Sequence, residues 1–204
     1  MRLLKTFPHE RYLIELHHYN QKYILKITLE DYSQSFRIAE MDSFSADKID
    51  DVLNYDGFLG NSVVGEWCNL GADTNCSNLK NNYAQVKLWN YTKKRFLHSG
   101  LQFCGLIMGD HSKCGINTMF NTGTVIGVSA NIFGASFPRN FIPSFAWGGA
   151  SGFTTYTMPK AMETARIVML RRKKELDITE KNIMNSVFEH STEHRYWENK
   201  PLNK

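Results

Sequence analysis

Residues 108–136 read MGDHSK CGINTM FNTGTV IGVSAN IFGAS, and every sixth position is apolar: Met108, Cys114, Phe120, Ile126 and Ile132. Four places after each stands a small residue, Ser112, Thr118, Thr124, Ala130 or Ser136, and Gly109, Gly115 and Gly127 directly follow three of the apolar positions. An earlier block repeats the pattern. Phe58, Val64, Leu70 and Cys76 hold its apolar positions, Gly65 and Gly71 follow two of them, and Ser62, Cys68 and Thr74 fill the small position until Lys80 breaks it. The interval from Cys76 to Met108 is not a multiple of six, so roughly Lys80 to Gly100 is read as an inserted loop. A period of six has a physical cause in a parallel β-helix with three flat faces per coil. Each face needs one bulky inward residue, each corner has room only for a small one, and glycine serves where the backbone turns sharply. The fold class expected is all-β: a left-handed parallel β-helix of hexapeptide repeats with C-terminal α-helices and a small N-terminal segment.

Working outward, the 204 residues are 42% hydrophobic and 22% charged with a net charge of +4, a composition that can bury a core and excludes a disordered tail. No Lys/Arg block dominates, so no nucleic-acid partner is expected. The longest apolar runs, such as Phe103–Met108, are too short to span a bilayer, and no secretory pattern follows Met1–Lys5, so the chain is read as cytoplasmic with no membrane partner. All 14 glycines fall between Gly57 and Gly152. This divides the chain into an N-terminal segment over 1–53, a β-helix over 54–152 with its loop near 80–100, and a helical extension over 153–204. In the first segment Tyr12, Ile14 and Leu16 alternate, as do Tyr23, Leu25, Ile27 and Leu29, around a Tyr19–Gln21 turn. That reads as short strands or a hairpin, although adjoining Ile24 and Leu25 also suit a helix. Beyond Pro159, helices are expected over Lys160–Leu176 and from Thr179 to about His190. Arg166, Arg171, Arg172, Lys173 and Lys174 form the wet face of the first.

The four cysteines, Cys68, Cys76, Cys104 and Cys114, lack zinc spacing, so no metal site is expected; Cys68, Cys76 and Cys114 are read as inward apolar fillers. Phe145 and Trp147 are expected to cap the last coil. The inserted loop interleaves Lys80, Lys87, Lys93, Lys94 and Arg95 with Tyr83, Trp89 and Tyr91. Two readings stand: a grip on sugar phosphate or coenzyme A phosphates, or a solvated loop whose aromatics pack on the solenoid.

Five strings narrow the family: DGFLGNS at 56–62, GEWCNLGADTN at 65–75, NLKNNY at 78–83, GLIMGDHSKCGINTMFNTGT at 105–124 and FIPSFAWGG at 141–149. Over about residues 56–175 they resemble the C-terminal half of the sugar nucleotidyltransferase-like proteins of Bacteroidetes. That family is related to the bifunctional N-acetylglucosamine-1-phosphate uridylyltransferase and glucosamine-1-phosphate acetyltransferase. The resemblance implies a homotrimer with sites between neighbouring solenoids and acetyl-CoA laid along the coils as co-substrate. It also implies an N-terminal nucleotidyltransferase domain. The first 53 residues are too few to hold one, so a separate nucleotidyltransferase chain is a possible partner.

Residue by residue, the resemblance places Asn78 and Asn69 on the amino sugar phosphate, with Lys80 beside them. It places Ala72, Gly115, Ile116 and Gly134 along acetyl-CoA. Relatives read His-Asp-Gly-Phe-Leu-Gly where this chain reads Tyr55-Asp-Gly-Phe-Leu-Gly, so Tyr55 stands at the family's catalytic histidine. Phe58 and Leu79 replace tyrosines of the bifunctional enzyme. Acetyl transfer to an amine needs a base that works near neutral pH, which histidine supplies and tyrosine, with a pKa of ~10, does not. His111, three places after Met108, is the substitute base, with Asp110 or Ser112 to orient it. His17, His18, His98, His190 and His194 are read as surface histidines. The function expected is acetyl transfer to an amino-sugar 1-phosphate in nucleotide-sugar synthesis. The alternatives are a non-catalytic trimerising or sugar-phosphate-binding module and, third, a metal-dependent hexapeptide enzyme.

Overall fold

The computed structural model describes residues 2–7, 13–19, 22–29, 32–39 and 57–198. The chain divides into two compact units, Met1–Asn54 and Tyr55–Lys204. In the first, β1 (Arg2–Phe7), β2 (Leu13–Tyr19), β3 (Lys22–Leu29) and β4 (Tyr32–Ala39) form an antiparallel sheet in sequence order. Ile14 and Leu16 are buried, as their alternation requires, and Tyr19 pairs with Lys22 across the expected turn. Ile24 and Leu25 belong to β3, which removes the helical alternative. His17 is buried beside Glu15, at 3.5 Å, and is not a surface histidine.

The second unit is a parallel β-solenoid with three walls. Wall one holds β5 (Phe58–Leu59), β7 (Asn75–Cys76) and β12 (Met119–Phe120). Wall two holds β6 (Val63–Val64), β10 (Ile107–Met108), β13 (Val125–Ile126) and β15 (Phe141–Ile142). Wall three holds β11 (Lys113–Cys114), β14 (Asn131–Ile132) and β16 (Ala146–Gly149), closed by antiparallel β17 (Gly152–Thr155). Cys76 and Phe120 pair in register on wall one, Met108, Ile126 and Ile142 on wall two, and Cys114 and Ile132 on wall three. All of these are buried in one core with Leu106 and Ala130. Successive coils are 18 residues apart where Ala130 N–H bonds Ser112 Oγ, and 16 apart where Val128 N–H bonds Ser144 Oγ. The insertion stretches one interval to 44, from Ser62 Oγ to Leu106 N–H.

The first hexad departs from the sequence reading. Leu59, not Phe58, registers with Cys76, so Phe58 faces outward beside Asn75. Cys68 is half-buried and packs against the core, its thiol donating to Gly109 O, while Cys76 and Cys114 are fully inside it. Burial pushes the Cys68 thiol up to about 11 and the Cys76 thiol up to about 12, so both stay protonated. Ser136 is exposed because the last coil is shortened, and Asn140 takes the corner instead, its Nδ2 donating to Thr122 O at 3.1 Å.

The corners also have a different cause from the one the glycines suggested. Left-handed residues form one column of Trp67, His111, Ser129 and Phe145 and another of Asp73 and Asn117, all with φ between 54° and 60°, and among the solenoid glycines Gly123 also takes this conformation, with φ 70°. Gly71, Gly109 and Gly127 are instead required by crowding from the next coil. A Cβ on Gly71 would lie 2.4 Å from the backbone carbon of Gly115, and one on Gly127 would lie 2.4 Å from Ser144 N. The small position, besides being tight, is a hydrogen-bonding site. Thr74, Thr118 and Thr124 donate to the carbonyls of Gly71, Gly115 and Asn121, three residues earlier, at 2.6–2.7 Å.

Phe153 packs into the solenoid core, with Trp197 5.8 Å away and Tyr196 against the same cluster, and these close the last coil. Phe145 and Trp147 do not: Phe145 is fully buried beneath the helices, and Trp147 faces outward on wall three. Helix α1 (Met158–Leu170) buries Ala161, Ala165 and Met169 at helical spacing against Phe145 and Tyr156. It ends six residues before the expected Leu176, because Lys173 turns left-handed (φ 58°) and Lys174 N–H closes onto Met169 O. Helix α2 (Ile178–His190) opens with a capping box between Asp177 and Glu180. Arg166 and the run Arg171–Lys174 are exposed.

Candidate functional site

Two surfaces of the solenoid unit gather the chemistry. The first is the corner that follows wall three. Gly71 N–H bonds Cys114 O, Asn117 N–H bonds Ala72 O and Gly115 N–H bonds Ile132 O, so residues 72, 116 and 134 fall on one edge of successive coils. The structure thus brings Ala72, Gly115, Ile116 and Gly134 together. Ala72 and Gly134 are exposed and Ile116 is 71% exposed, beside Phe133, whose ring meets Trp147 edge-on at 5.3 Å. A strip of small residues and bare backbone flanked by apolar side chains suits an extended, partly apolar ligand.

The sugar-binding candidates separate into two groups. Asn69 bridges to Lys113 at the edge of wall three, and His111 sits one corner away, on the coil above Trp67. Asn78 lies past wall one, where its Nδ2 donates to Asn61 Oδ1 at 2.7 Å, and Lys80 follows it into the insertion. Tyr55 lies outside the described residues. His111 takes the left-handed corner with φ 60°, its N–H bonded to Glu66 O and its ring stacked 6.4 Å from Trp67. Its Nδ1 is buried without a hydrogen-bond partner. Burial, then the neighbouring Lys113 ammonium, hold its pKa below the usual histidine value against the opposing pull of Asp110, so the ring is neutral at pH 7. Neither expected orienting group bonds it. Asp110 Oδ1 accepts from Glu66 N–H, and Ser112 Oγ spans Gly127 O and Ala130 N–H.

The second surface is made by the insertion. Hairpin β8 (Lys87–Asn90) and β9 (Arg95–His98) folds back over wall two, where Trp89 stacks on Phe141 at 4.1 Å and Tyr91 meets the same ring edge-on at 5.5 Å. Trp89 and Tyr91 therefore do pack on the solenoid, whereas Tyr83 is exposed. His194 closes this box, 5.3 Å from Tyr91 and 5.7 Å from Phe141, with its side chain only 10% exposed. It is not a surface histidine, and burial depresses its pKa despite Glu193. Beside the box opens a cleft of about 920 Å³, lined by Lys80, Lys87, Lys94 and Arg139 together with Phe96 and Tyr196. Lys94 pairs with Glu193 across it, and the Arg139 guanidinium lies 4.8 Å over the Tyr196 ring. Arg139 and Tyr196 escaped the sequence reading, which had named His194 only as a surface histidine. The one available signal was the Tyr196–Trp197 aromatic pair in an otherwise polar tail. Among the described residues no group of His, Cys, Asp or Glu gathers to hold a metal ion, and no helix is long and apolar enough to cross a membrane.

Similarity to known proteins bears on the solenoid. No family model matches the chain. Over 70 residues it is 38% identical to the bifunctional protein GlmU of Methanocaldococcus jannaschii, covering 34% of this chain and 16% of that protein. Over 76 residues it is 37% identical to a bifunctional sugar-1-phosphate nucleotidylyltransferase/acetyltransferase of Sulfurisphaera tokodaii, covering 37% of this chain and 18% of that protein. The chain carries a GlmU-related left-handed β-helix. The matches span about a sixth of the length of these relatives, and they support a hexapeptide-repeat transferase family for the GlmU-related solenoid.

Proposed function

We propose that the protein transfers the acetyl group of acetyl-CoA to the amine of an amino-sugar 1-phosphate, as a step in nucleotide-sugar synthesis. The observation that carries this reading is the similarity of the chain to a relative named for nucleotidylyltransferase and acetyltransferase activities. The exposed edge of Ala72, Gly115, Ile116 and Gly134 supports it as a track for the coenzyme. In the reaction the amine nitrogen attacks the thioester carbonyl, a C–N bond forms, the C–S bond breaks, and coenzyme A leaves as the thiol. The proton lost from nitrogen needs a base, and His111, neutral at pH 7, is the residue proposed. Asn69, Asn78 and Lys80 would hold the sugar phosphate. Because Asn69 and His111 lie by wall three while Asn78 and Lys80 lie past wall one, the reading includes a homotrimer in which neighbouring copies join the two groups. A separate nucleotidyltransferase chain would supply the following step.

The test is thiol release from acetyl-CoA with glucosamine-1-phosphate as acceptor. Turnover that falls ~10²-fold or more in His111→Ala supports the reading. The second reading, a sugar-phosphate-binding module without turnover, is favoured by the shielded Nδ1 of His111. Ligand binding with no thiol release in the unaltered protein would establish it.

A further inference from the structure

The cleft beside the hairpin has a charge and shape of which the acetyl-transfer reading uses only Lys80. Four cationic side chains line it, and one carboxylate, Glu193, answers them by pairing with Lys94. Lys80, Lys87 and Arg139 have no carboxylate partner among the described residues. Lys80 donates to Gln85 O at 3.3 Å and the Arg139 guanidinium lies 4.8 Å over the Tyr196 ring, so two of the three cations already have a contact that orients them toward the cleft. Three uncompensated positive charges match a ligand bearing two phosphate groups better than a single carboxylate or one phosphate monoester.

The lining also holds aromatic rings, with Phe96 paired to Trp89 on the hairpin that carries Lys87. Phe96 meets Trp89 edge-on at 5.4 Å and keeps 39% of its surface exposed, which leaves a ring open to a planar partner. Trp89 also carries a buried indole N–H with no hydrogen-bond partner, a group that ordinarily finds an acceptor. At about 920 Å³ the cleft lies within the ~300–1,000 Å³ of small-molecule sites.

We infer that this cleft binds a nucleotide with two phosphates, its base against Phe96 and its phosphates among Lys80, Lys87 and Arg139. Two sources share that chemistry: a free nucleoside diphosphate, and the adenosine bisphosphate end of coenzyme A. The inference shares Lys80 with the acetyl-transfer reading, but its failure is distinguishable from that reading's, because nucleotide binding is read with no acetyl group present.

Calorimetric titration of the full chain with UDP, adenosine 3′,5′-bisphosphate and inorganic pyrophosphate tests it. At least one nucleotide should bind about tenfold more tightly than pyrophosphate. Lys87→Ala and Arg139→Ala should each weaken that nucleotide about tenfold. Phe96→Ala should weaken the nucleotide and leave pyrophosphate unchanged. Lys87 is exposed on the hairpin, so its variant reads the charge even if Arg139→Ala disturbs Tyr196. Preference for UDP identifies a free nucleotide as the ligand, and preference for the bisphosphate identifies the coenzyme's nucleotide end. The inference is overturned if neither nucleotide binds at millimolar concentration. It is equally overturned if pyrophosphate binds as tightly as both, or if neither charge variant changes nucleotide affinity.

Discussion

At the scale of single residues, the hexapeptide signal carries two kinds of information that the letters alone do not separate. Gly71 and Gly115 occupy the same place in their hexads, yet they face different neighbours. A Cβ on Gly71 would press on the backbone of Gly115 and Ile116 at 2.4 Å, whereas one on Gly115 would meet nothing nearer than the Phe133 Cβ at an ordinary 3.5 Å. Backbone cannot yield as a side chain does, so Gly71→Ala should lower stability by roughly 1–3 kcal/mol. Gly115→Ala, with no positive φ to strain it, should leave the melting temperature within a degree or two of the parent. Thermal denaturation of both variants checks this, and equal melting temperatures would refute the crowding account. The hexad pattern made both glycines legible, but the coil above each decides what it is for.

Among the elements, the inserted hairpin was visible only as a break in phase. Its Trp89 and Tyr91 were legible as aromatics in need of a surface, but the surface, Phe141 on wall two, lies some fifty residues on. Phe141 joins Trp89, Tyr91 and His194, so its ring is the point where the hairpin, the wall and the tail after α2 meet. Phe141→Ala should therefore speed amide hydrogen exchange across Lys87–His98 while the strands β10 to β14 keep their protection. Unchanged exchange in the hairpin would show that Trp89 is held by other contacts. Helix α1 teaches a related lesson. Its start at Pro159 was readable because proline fits only the first turn, while its end depends on Lys173 adopting a left-handed conformation that lysine does not advertise.

For the whole molecule, the histidines give a pH dependence with a definite sign. His111, beside Lys113 and Asp110, and His194, between Lys94, Glu193 and the aromatic box, both have pKa values depressed in the folded state, with burial the first cause. The unfolded chain binds their protons more readily, so acid favours unfolding. The stability they contribute is complete above the ordinary histidine pKa of ~6.5 and is lost as pH falls below it towards their depressed values. The melting temperature should decline from about pH 7.5 to about pH 5, and His111→Gln with His194→Gln should flatten that decline. A slope unchanged in the double variant would assign it to other groups. The sequence by itself determined the solenoid, because six-residue spacing of Met108, Cys114, Phe120, Ile126 and Ile132 can bury one continuous core in no other way. The resemblance singled out Ala72, Ile116 and Gly134, and the coil register of the structure sets them on one edge. The tertiary structure alone decided the cationic cleft, the end cap of Phe153 and Trp197, and the burial of His194. Those features join the insertion and the tail to the walls, and contacts between segments without a shared period leave no regular trace in the chain.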